Sequence, residues 1–432
     1  MSSTHPLRAL RHTNFRLFFG GQLISLVGTW MQQVAQSWLI YRLTHSALLL
    51  GAIGFAGQIP VFFLGPIGGH VADRYDRRRV LLITQTASMI LAFFLAALTL
   101  TNRVREWHLF VLAALLGVVN AFDIPARQAF LVQLVEREDL INAIALNSSM
   151  FNGARIAGPA IAGLLVAAIG EGWCFFANAV SYIAVIIGLL MIATPRFSAP
   201  AGHSVLANIA EGFRFVGKTA PIRALLLLIG AVSFTALPYT VLMPVFADEV
   251  LHEGARGLGI LMGASGVGAL FGSLALATRS SVKGLGRWIA IACTIFGAAL
   301  SAFALSRTLL LSVVLLVVAG GAMMVQMASS NTLIQSMVPD ELRGRVMSVY
   351  TMMFMGMGPF GALLAGSIAD RIGAPLTVAG GGAITVLAAV GFSLRLPSLR
   401  PAARELIIAQ QAGGGEPVEQ ATATGAEAIA SE

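Results

Sequence analysis

The chain has 432 residues, 57% of them hydrophobic and only 11% charged, and its mean hydropathy is +0.81. Ordinary soluble domains carry about 25% charged residues, so a soluble globular protein is excluded. The 28 Lys and Arg against 20 Asp and Glu leave a net charge of +8, but the basic residues cluster between apolar runs, which fits membrane topology and anionic headgroups and not nucleic acid.

Runs of about 20 apolar residues are long enough to cross a bilayer as helices. They are predicted at 15–41, 46–72, 80–101, 107–131, 142–168 and 173–193, and again at 221–247, 256–278, 287–305, 309–335, 346–368 and 375–394. The prediction is an all-α membrane protein: a basic segment 1–14, a six-helix bundle 15–193, a linker 194–220, a second six-helix bundle 221–394 and a disordered tail 395–432. Residues 1–14 lead straight into the first span with no small-residue cleavage site, so a cytoplasmic N-terminus is expected.

The first span carries a polar stripe, Gln22, Ser25, Thr29, Gln32 or Gln33, and Gln36, on one helical face. Amides in hydrocarbon need water or a partner, so the stripe either lines a cavity or glues helices together. Between the second and third spans lies GPIGGHVADRYDRRRV (65–80), with Gly69, Asp73, Arg74, Arg77 and Arg78. Gly69 would admit a close helix neighbour. Asp73 ends its own helix at the unfavourable pole of the dipole, so it should seek a cation such as Arg127 or the N-terminus of another helix near Val346. Asp76 is expected to support a left-handed turn.

The fourth span offers Asn120, Asp123 and Arg127, and the fifth offers Arg155 and the Gly158-Pro159 pair. Asp123 and Arg155 are opposite charges placed well inside adjacent spans, with Arg127 as a competing partner one turn from Asp123. Two readings stand, a titratable proton switch and a permanent ion pair. In the linker, Val205, Ile209, Phe213 and Val216 recur at helical spacing, as in an amphipathic helix on the membrane surface. The seventh span holds Ser233, Thr235 and Tyr239, with Pro238 and Pro244 expected to interrupt it. The tenth holds Gln326, Ser330, Asn331 and Gln335, and the eleventh holds Gly358-Pro359 within a methionine-rich stretch, suited either to packing or to promiscuous binding.

Arg42, Arg103, Arg105, Arg256, Arg307 and Arg371 fall in one set of alternate loops, and Arg155 falls in mid-span. The remaining 21 basic residues sit on the opposite side, which places both termini in the cytoplasm. The two halves echo each other: Gly158-Pro159 recurs as Gly358-Pro359, each pair preceded by an acidic loop.

The pattern Gly69-x-x-x-Asp73-Arg74-x-x-Arg77-Arg78 resembles the loop between helices 2 and 3 of the major facilitator superfamily. With Asn120-Ala-Phe-Asp123-Ile-Pro125-Ala-Arg127 and the run from Asn142 to Pro159, the chain from about 10 to 395 resembles the branch that includes the enterobactin exporter. The resemblance implies twelve helices in two pseudo-symmetric bundles, gating by Gly69, Asp73, Arg74, Arg77, Arg78 and Arg127, and substrate bound near mid-depth between the halves. It implies a pathway lined by helices 1, 4, 7 and 10, where Gln22, Ser25, Thr29, Gln32, Gln33, Gln36, Asn120, Tyr239, Gln326 and Asn331 are candidate substrate contacts. In the family, the motif holding Gly158 and Pro159 is associated with antiporters.

The expected function is therefore proton-coupled export of a small amphiphilic organic molecule, a drug-like compound or siderophore, from the bacterial inner membrane. The alternatives are an uptake permease and a non-transporting sensor. Partners are the substrate, protons and lipids; a monomer is expected, and no nucleic acid. The seven His have no metal-ligand spacing, and Cys174 and Cys293 read as core residues. Neither a phosphate-binding Gly-rich loop nor a Gly-x-Ser-x-Gly elbow occurs, so no enzyme activity, cofactor or metal is expected.

Overall fold

In the computed structural model, residues 7–192, 205–277 and 284–412 are described; His5, Ser204, Arg279, Lys283 and the tail from 413 lie outside them. The described chain is a succession of helices: α1 Thr13–Thr44, α2 Ala47–Arg74, α3 Arg77–Leu100, α4 Glu106–Leu131, α5 Leu140–Ile169, α6 Glu171–Met191, α7 Val205–Lys218, α8 Ala220–Thr235, α9 Tyr239–Val245, α10 Gly254–Ala277, α11 Leu285–Leu305, α12 Leu309–Met337, α13 Asp340–Thr351, α14 Met357–Ile372 and α15 Ala374–Ala412. The seventh predicted span is α8 with α9, and the eleventh is α13 with α14. Eleven segments among the described residues are long and apolar enough to cross a membrane. The helix α1 is not one of them, because its Gln and Ser side chains lower its hydropathy.

Helix ends follow local chemistry. Ser46 caps α2 by accepting from the Leu49 N–H at 3.2 Å, which satisfies a donor the helix cannot. Asp76 does not take the left-handed turn expected for it. Its φ is −59° and its carboxylate accepts from the Arg78 N–H, so it is the N-cap of α3. Pro238 separates α8 from α9, and a π-helical turn, Phe246–Val250, follows Pro244. A second π-helical turn, Met352–Gly356, joins α13 to α14 just before Gly358-Pro359. By contrast, α5 runs unbroken through Pro159. A proline removes one hydrogen bond and clashes with the preceding turn; the eleventh span absorbs this with a π-turn and the fifth does not.

Two compact units form. One is Met1–Gly202 with Val241–Gly263, the other His203–Thr240 with Ala264–Glu432. The sequence placed the division at 194–220 alone. Segment 241–263 joins the first unit because the Gly259 backbone lies flush against Pro159 and Gly163 of α5 and because the Tyr41 hydroxyl donates to Glu249 Oε1 at 2.6 Å.

Within the first unit α2 packs along α4, α1 along α6 and α5, and α3 along α6 and α4. Within the second, α11 packs along α15 and α12, and α8 along α15 and α14. The four pairs of the second set repeat four of the first, each helix replaced by its counterpart six spans on. Without a hydrophobic drive between helices in lipid, small residues that let backbones meet supply the contact. A Cβ on Gly68 would collide with the Ala121 carbonyl, and one on Gly268 with the Val317 carbonyl. Gly69, singled out from its motif, would meet nothing within 4 Å. The close approach belongs to its neighbour.

The linker helix α7 docks by one face. Glu211 pairs with Arg345 of α13 at 2.7 Å, Gly212 abuts the Arg345 carbonyl and Val216 is buried, while Phe213 stays exposed. The tail reading is corrected, since α15 continues through 395–412 where disorder was expected. Its Ala, Arg, Glu, Leu and Gln are strong helix formers and carry the helix past Pro397 and Pro401. The cysteines are free and buried.

Gly68→Ala should lower thermal stability by about 1 to 3 kcal/mol through overpacking, whereas Gly69→Ala should change it by less than about 0.5 kcal/mol. Melting curves of the two variants in detergent, followed by size-exclusion fluorescence, check the contrast.

Candidate functional site

Three polar constellations are built into the first unit. At the arginine-rich end, Arg77 and Arg78 are tied to backbone and do not hang in solvent. Arg77 donates to the Ala72 carbonyl of α2 at 3.1 Å and to the Ala129 carbonyl of α4 at 3.2 Å. Arg78 donates to the Leu189 and Leu190 carbonyls at the end of α6, at 2.6 and 2.7 Å. Unsatisfied carbonyls gather at helix C-termini, and the two guanidiniums answer them, so the start of α3 is bound to α2, α4 and α6 together. Arg74 and Asp73 are exposed, and Asp73 lies 3.8 Å from Arg77. The partner expected for Asp73, Arg127, is engaged elsewhere.

Arg127 faces Asp123 at 3.3 Å, one turn back along α4. The Asp123 side chain is buried, roughly two turns from the helix end. Its Oδ1 accepts from the Thr84 hydroxyl at 2.8 Å and from Gln85 Nε2 at 2.7 Å, both on α3. Arg155, the partner anticipated from α5, is not among them. The competing partner is the one the fold selects, because four residues along one helix place Asp123 and Arg127 side by side. Thr84 and Gln85 were missed. The signal was in plain view, since Thr84, Gln85 and Ser88 are polar residues at helical spacing in an apolar run. They were passed over because α3 is not a helix that lines the pathway in the family.

The stripe on α1 splits. Gln22, Ser25 and Gln32 are buried, and Asn178 of α6 donates to Gln32 Oε1 at 2.7 Å, so Gln32 serves packing. Thr29 and Gln33 are exposed and Gln36 is half-buried. On α4, Asn120 is half-buried, one turn from Asp123. In the second unit, Tyr239 is buried with its hydroxyl 2.7 Å from Ser265. Gln326 is buried with its Nε2 unpartnered, and Asn331 is half-buried and accepts from Gln335. Gly158 packs against Trp30 and Val27 of α1, whereas Gly358 meets nothing within 4 Å.

A third constellation had no place in the sequence reading. Asp139, just before α5, is buried among Arg8 at 3.1 Å, Arg11 at 2.8 Å and His12 at 2.7 Å. The Ala9 N–H adds a bond to Asn142 at 2.9 Å. The segment ahead of α1 is thus strapped to the start of α5. No group of three or more His, Cys, Asp or Glu able to hold a metal occurs among the described residues.

The chain belongs to the transmembrane secretion effector family, a branch of the major facilitator superfamily, whose model matches residues 4–414. The staphyloferrin A transporter of Staphylococcus aureus is 28% identical over 362 residues, 83% of this chain and 90% of the relative. The multidrug efflux pump Tap of Mycolicibacterium fortuitum is 29% identical over 350 residues, covering 79% and 85%. The enterobactin exporter EntS of Shigella boydii is 28% identical over 360 residues, covering 83% and 85%. The resemblance found in the motifs is therefore borne out, and the chain is a multi-pass transporter of the major facilitator type and not an enzyme. Three relatives at equal distance carry three different cargo names, so kinship alone names none for this chain.

Removing Asp139 takes away charge-assisted hydrogen bonds from Arg8, Arg11 and His12, whose side chains still reach solvent, at a cost of about 1.5 to 3 kcal/mol. Asp139→Ala should therefore destabilise the protein by about that amount and expose the segment around Arg8 to trypsin. Limited proteolysis of the wild type and the variant in detergent reads both effects.

Proposed function

We propose that this chain is a proton-coupled exporter of the bacterial inner membrane, carrying a small amphiphilic organic molecule by alternating access, with both termini cytoplasmic. The observation that carries the coupling is Asp123, a buried carboxylate with the Arg127 guanidinium beside it. Intramembrane acids commonly serve proton relays. One charge crossing 100 mV supplies about 2.3 kcal/mol, enough to bias a two-state cycle more than tenfold. The names of two relatives, an efflux pump and an exporter, support the direction. The 21 basic residues on one side support the orientation. The gating role falls to Gly69, Asp73, Arg74, Arg77 and Arg78, of which Arg77 and Arg78 hold the helix ends. Gly158-Pro159 and Gly358-Pro359 are the positions where the fifth and eleventh spans would flex.

Gln33, Gln36, Thr29, Asn120 and Asn331 are the proposed cargo contacts, because they keep exposed or half-buried polar groups on pathway helices. Gln22, Ser25 and Gln32 support them from within the bundle. The exported molecule is drug-like or a siderophore, matching the amide side chains on these helices and the methionines Met323, Met324 and Met327 of α12.

Asp123→Asn should abolish accumulation driven by a pH gradient yet retain downhill counterflow. Proteoliposomes loaded with ethidium or with enterobactin, assayed both ways across a pH series, check it. Uphill, proton-dependent transport surviving in the variant would remove Asp123 as the coupling site, and binding without any transport would mark a sensor. Gln33→Ala, Gln36→Ala and Asn331→Ala should change the ratio of ethidium to enterobactin transport by about tenfold, as the loss of one good polar contact does. Equal scaling of both probes would make these residues packing.

A further inference from the structure

The Asp123 carboxyl sits between two α3 side chains that can each play either hydrogen-bonding part. The Thr84 hydroxyl lies 2.8 Å from Asp123 Oδ1 and 3.1 Å from the Leu81 carbonyl of its own helix. A hydroxyl has one proton and two lone pairs, so only one of these contacts receives the proton at a time. Facing a carboxylate, Thr84 donates to Oδ1. Facing a carboxylic acid, it can turn its proton to Leu81 and accept.

Gln85 has the same freedom, and its surroundings preserve that freedom. Nε2 donates to Asp123 Oδ1 at 2.7 Å, while Oε1 is buried and has no hydrogen-bond partner. A side chain that is 5% exposed and leaves an acceptor orphaned is unusual. Had a donor held Oε1, the carboxamide would be locked with its nitrogen toward Asp123 and committed to the charged form. With that end open, half a turn about the terminal bond brings Oε1 to the same place, where it can accept from a protonated Asp123. One end of the amide stays unpaired in either orientation, so the turn itself favours neither.

We infer that Thr84 and Gln85 form a reversible cradle that satisfies Asp123 in both its charged and its protonated form, making this buried carboxyl a proton-exchange site and not a fixed strut. The inference rests on the reading that Asp123 takes part in coupling, and it assigns to α3 two positioning residues that act through Asp123 of α4. The proton comes from water and returns to it; no bond other than O–H forms or breaks. Among the described residues, ionisable groups lie near the carboxyl on several helices. Arg127 lies beside it on α4, and Tyr182 of α6 is within electrostatic reach. Arg77 at the head of α3 is occupied by the Ala72 and Ala129 carbonyls. On α2, Asp73 and His70 are exposed toward the helix end, and on α1 Arg16 is exposed. Arg127 and the two α3 side chains are therefore the polar groups in direct contact with the carboxyl.

The test reads protons directly. Infrared difference spectra across a pH series, taken on the full chain in vesicles of phosphatidylethanolamine and phosphatidylglycerol, show a carboxylic-acid carbonyl band. Its loss in Asp123→Asn assigns it. Bonds donated to a charged acceptor are about twice as strong as neutral ones, so removing both donors penalises the charged form more. Thr84→Val combined with Gln85→Leu should move the midpoint of the band's titration up by about one pH unit, and Thr84→Ser, which keeps the hydroxyl, should leave it in place. Should the double variant not fold, Gln85→Leu alone is measured and should move the midpoint in the same direction. An unmoved midpoint, or no Asp123 band at any pH where the protein is folded, overturns the inference. A shifted band in a protein that shows no uphill ethidium transport leaves the cradle standing and defeats the proposed coupling instead.

Discussion

A bilayer interior offers no hydrogen-bond partner, and the whole architecture follows from that one deprivation. Backbone groups are satisfied by making every spanning segment a helix. Helix ends, where the ladder runs out, are the places left in need. The arginines at the start of α3 meet that need by binding carbonyls of α2, α4 and α6. A stretch that reads in sequence as a simple basic loop is in the fold a clasp joining four helices at one level. Its charge keeps it on one side of the membrane, and its geometry keeps the helices in register.

The same deprivation governs the polar residues within the spans. Gln32 finds Asn178, Tyr239 finds Ser265, and Asp123 finds Thr84, Gln85 and Arg127. Such pairings demand close helices, and glycine supplies the closeness: Gly28 of α1 leaves room for Asn178 and Ser181 beside it. Packing and polarity are thus one arrangement. Gln33 and Gln36 differ from these paired residues in keeping their polar ends exposed or half-buried.

Helix positions were legible because apolar length and glycine punctuation survive in any context. The family was legible from three motifs whose residue types recur at fixed spacing. Pairing was less so. One helix turn separates Asp123 from Arg127 whatever the fold, so that contact could be read, whereas the choice between Arg127 and Arg155 depended on how α4 and α5 are rotated. Thr84 and Gln85 required knowing that α3 turns that face toward α4. The cluster on Asp139 joins residues more than a hundred apart, and nothing local announces it. Asp76 and Gly69 show a subtler failure: the motif drew attention to the right places and assigned the wrong reasons.

The strap on Asp139 also has a bearing on how the molecule is made. A chain emerges from the ribosome N-terminus first, and 127 residues separate His12 from the carboxylate that holds it. Arg8, Arg11 and His12 therefore wait, uncompensated, while four spans are threaded into the membrane. The clasp can close only if those four have been inserted an even number of times across, returning residue 139 to the side where residue 8 was left. A span skipped or inverted would strand the acid on the far face with no cation to meet it. An ion cluster that contributes to stability in the finished protein is, during synthesis, a parity check on its insertion.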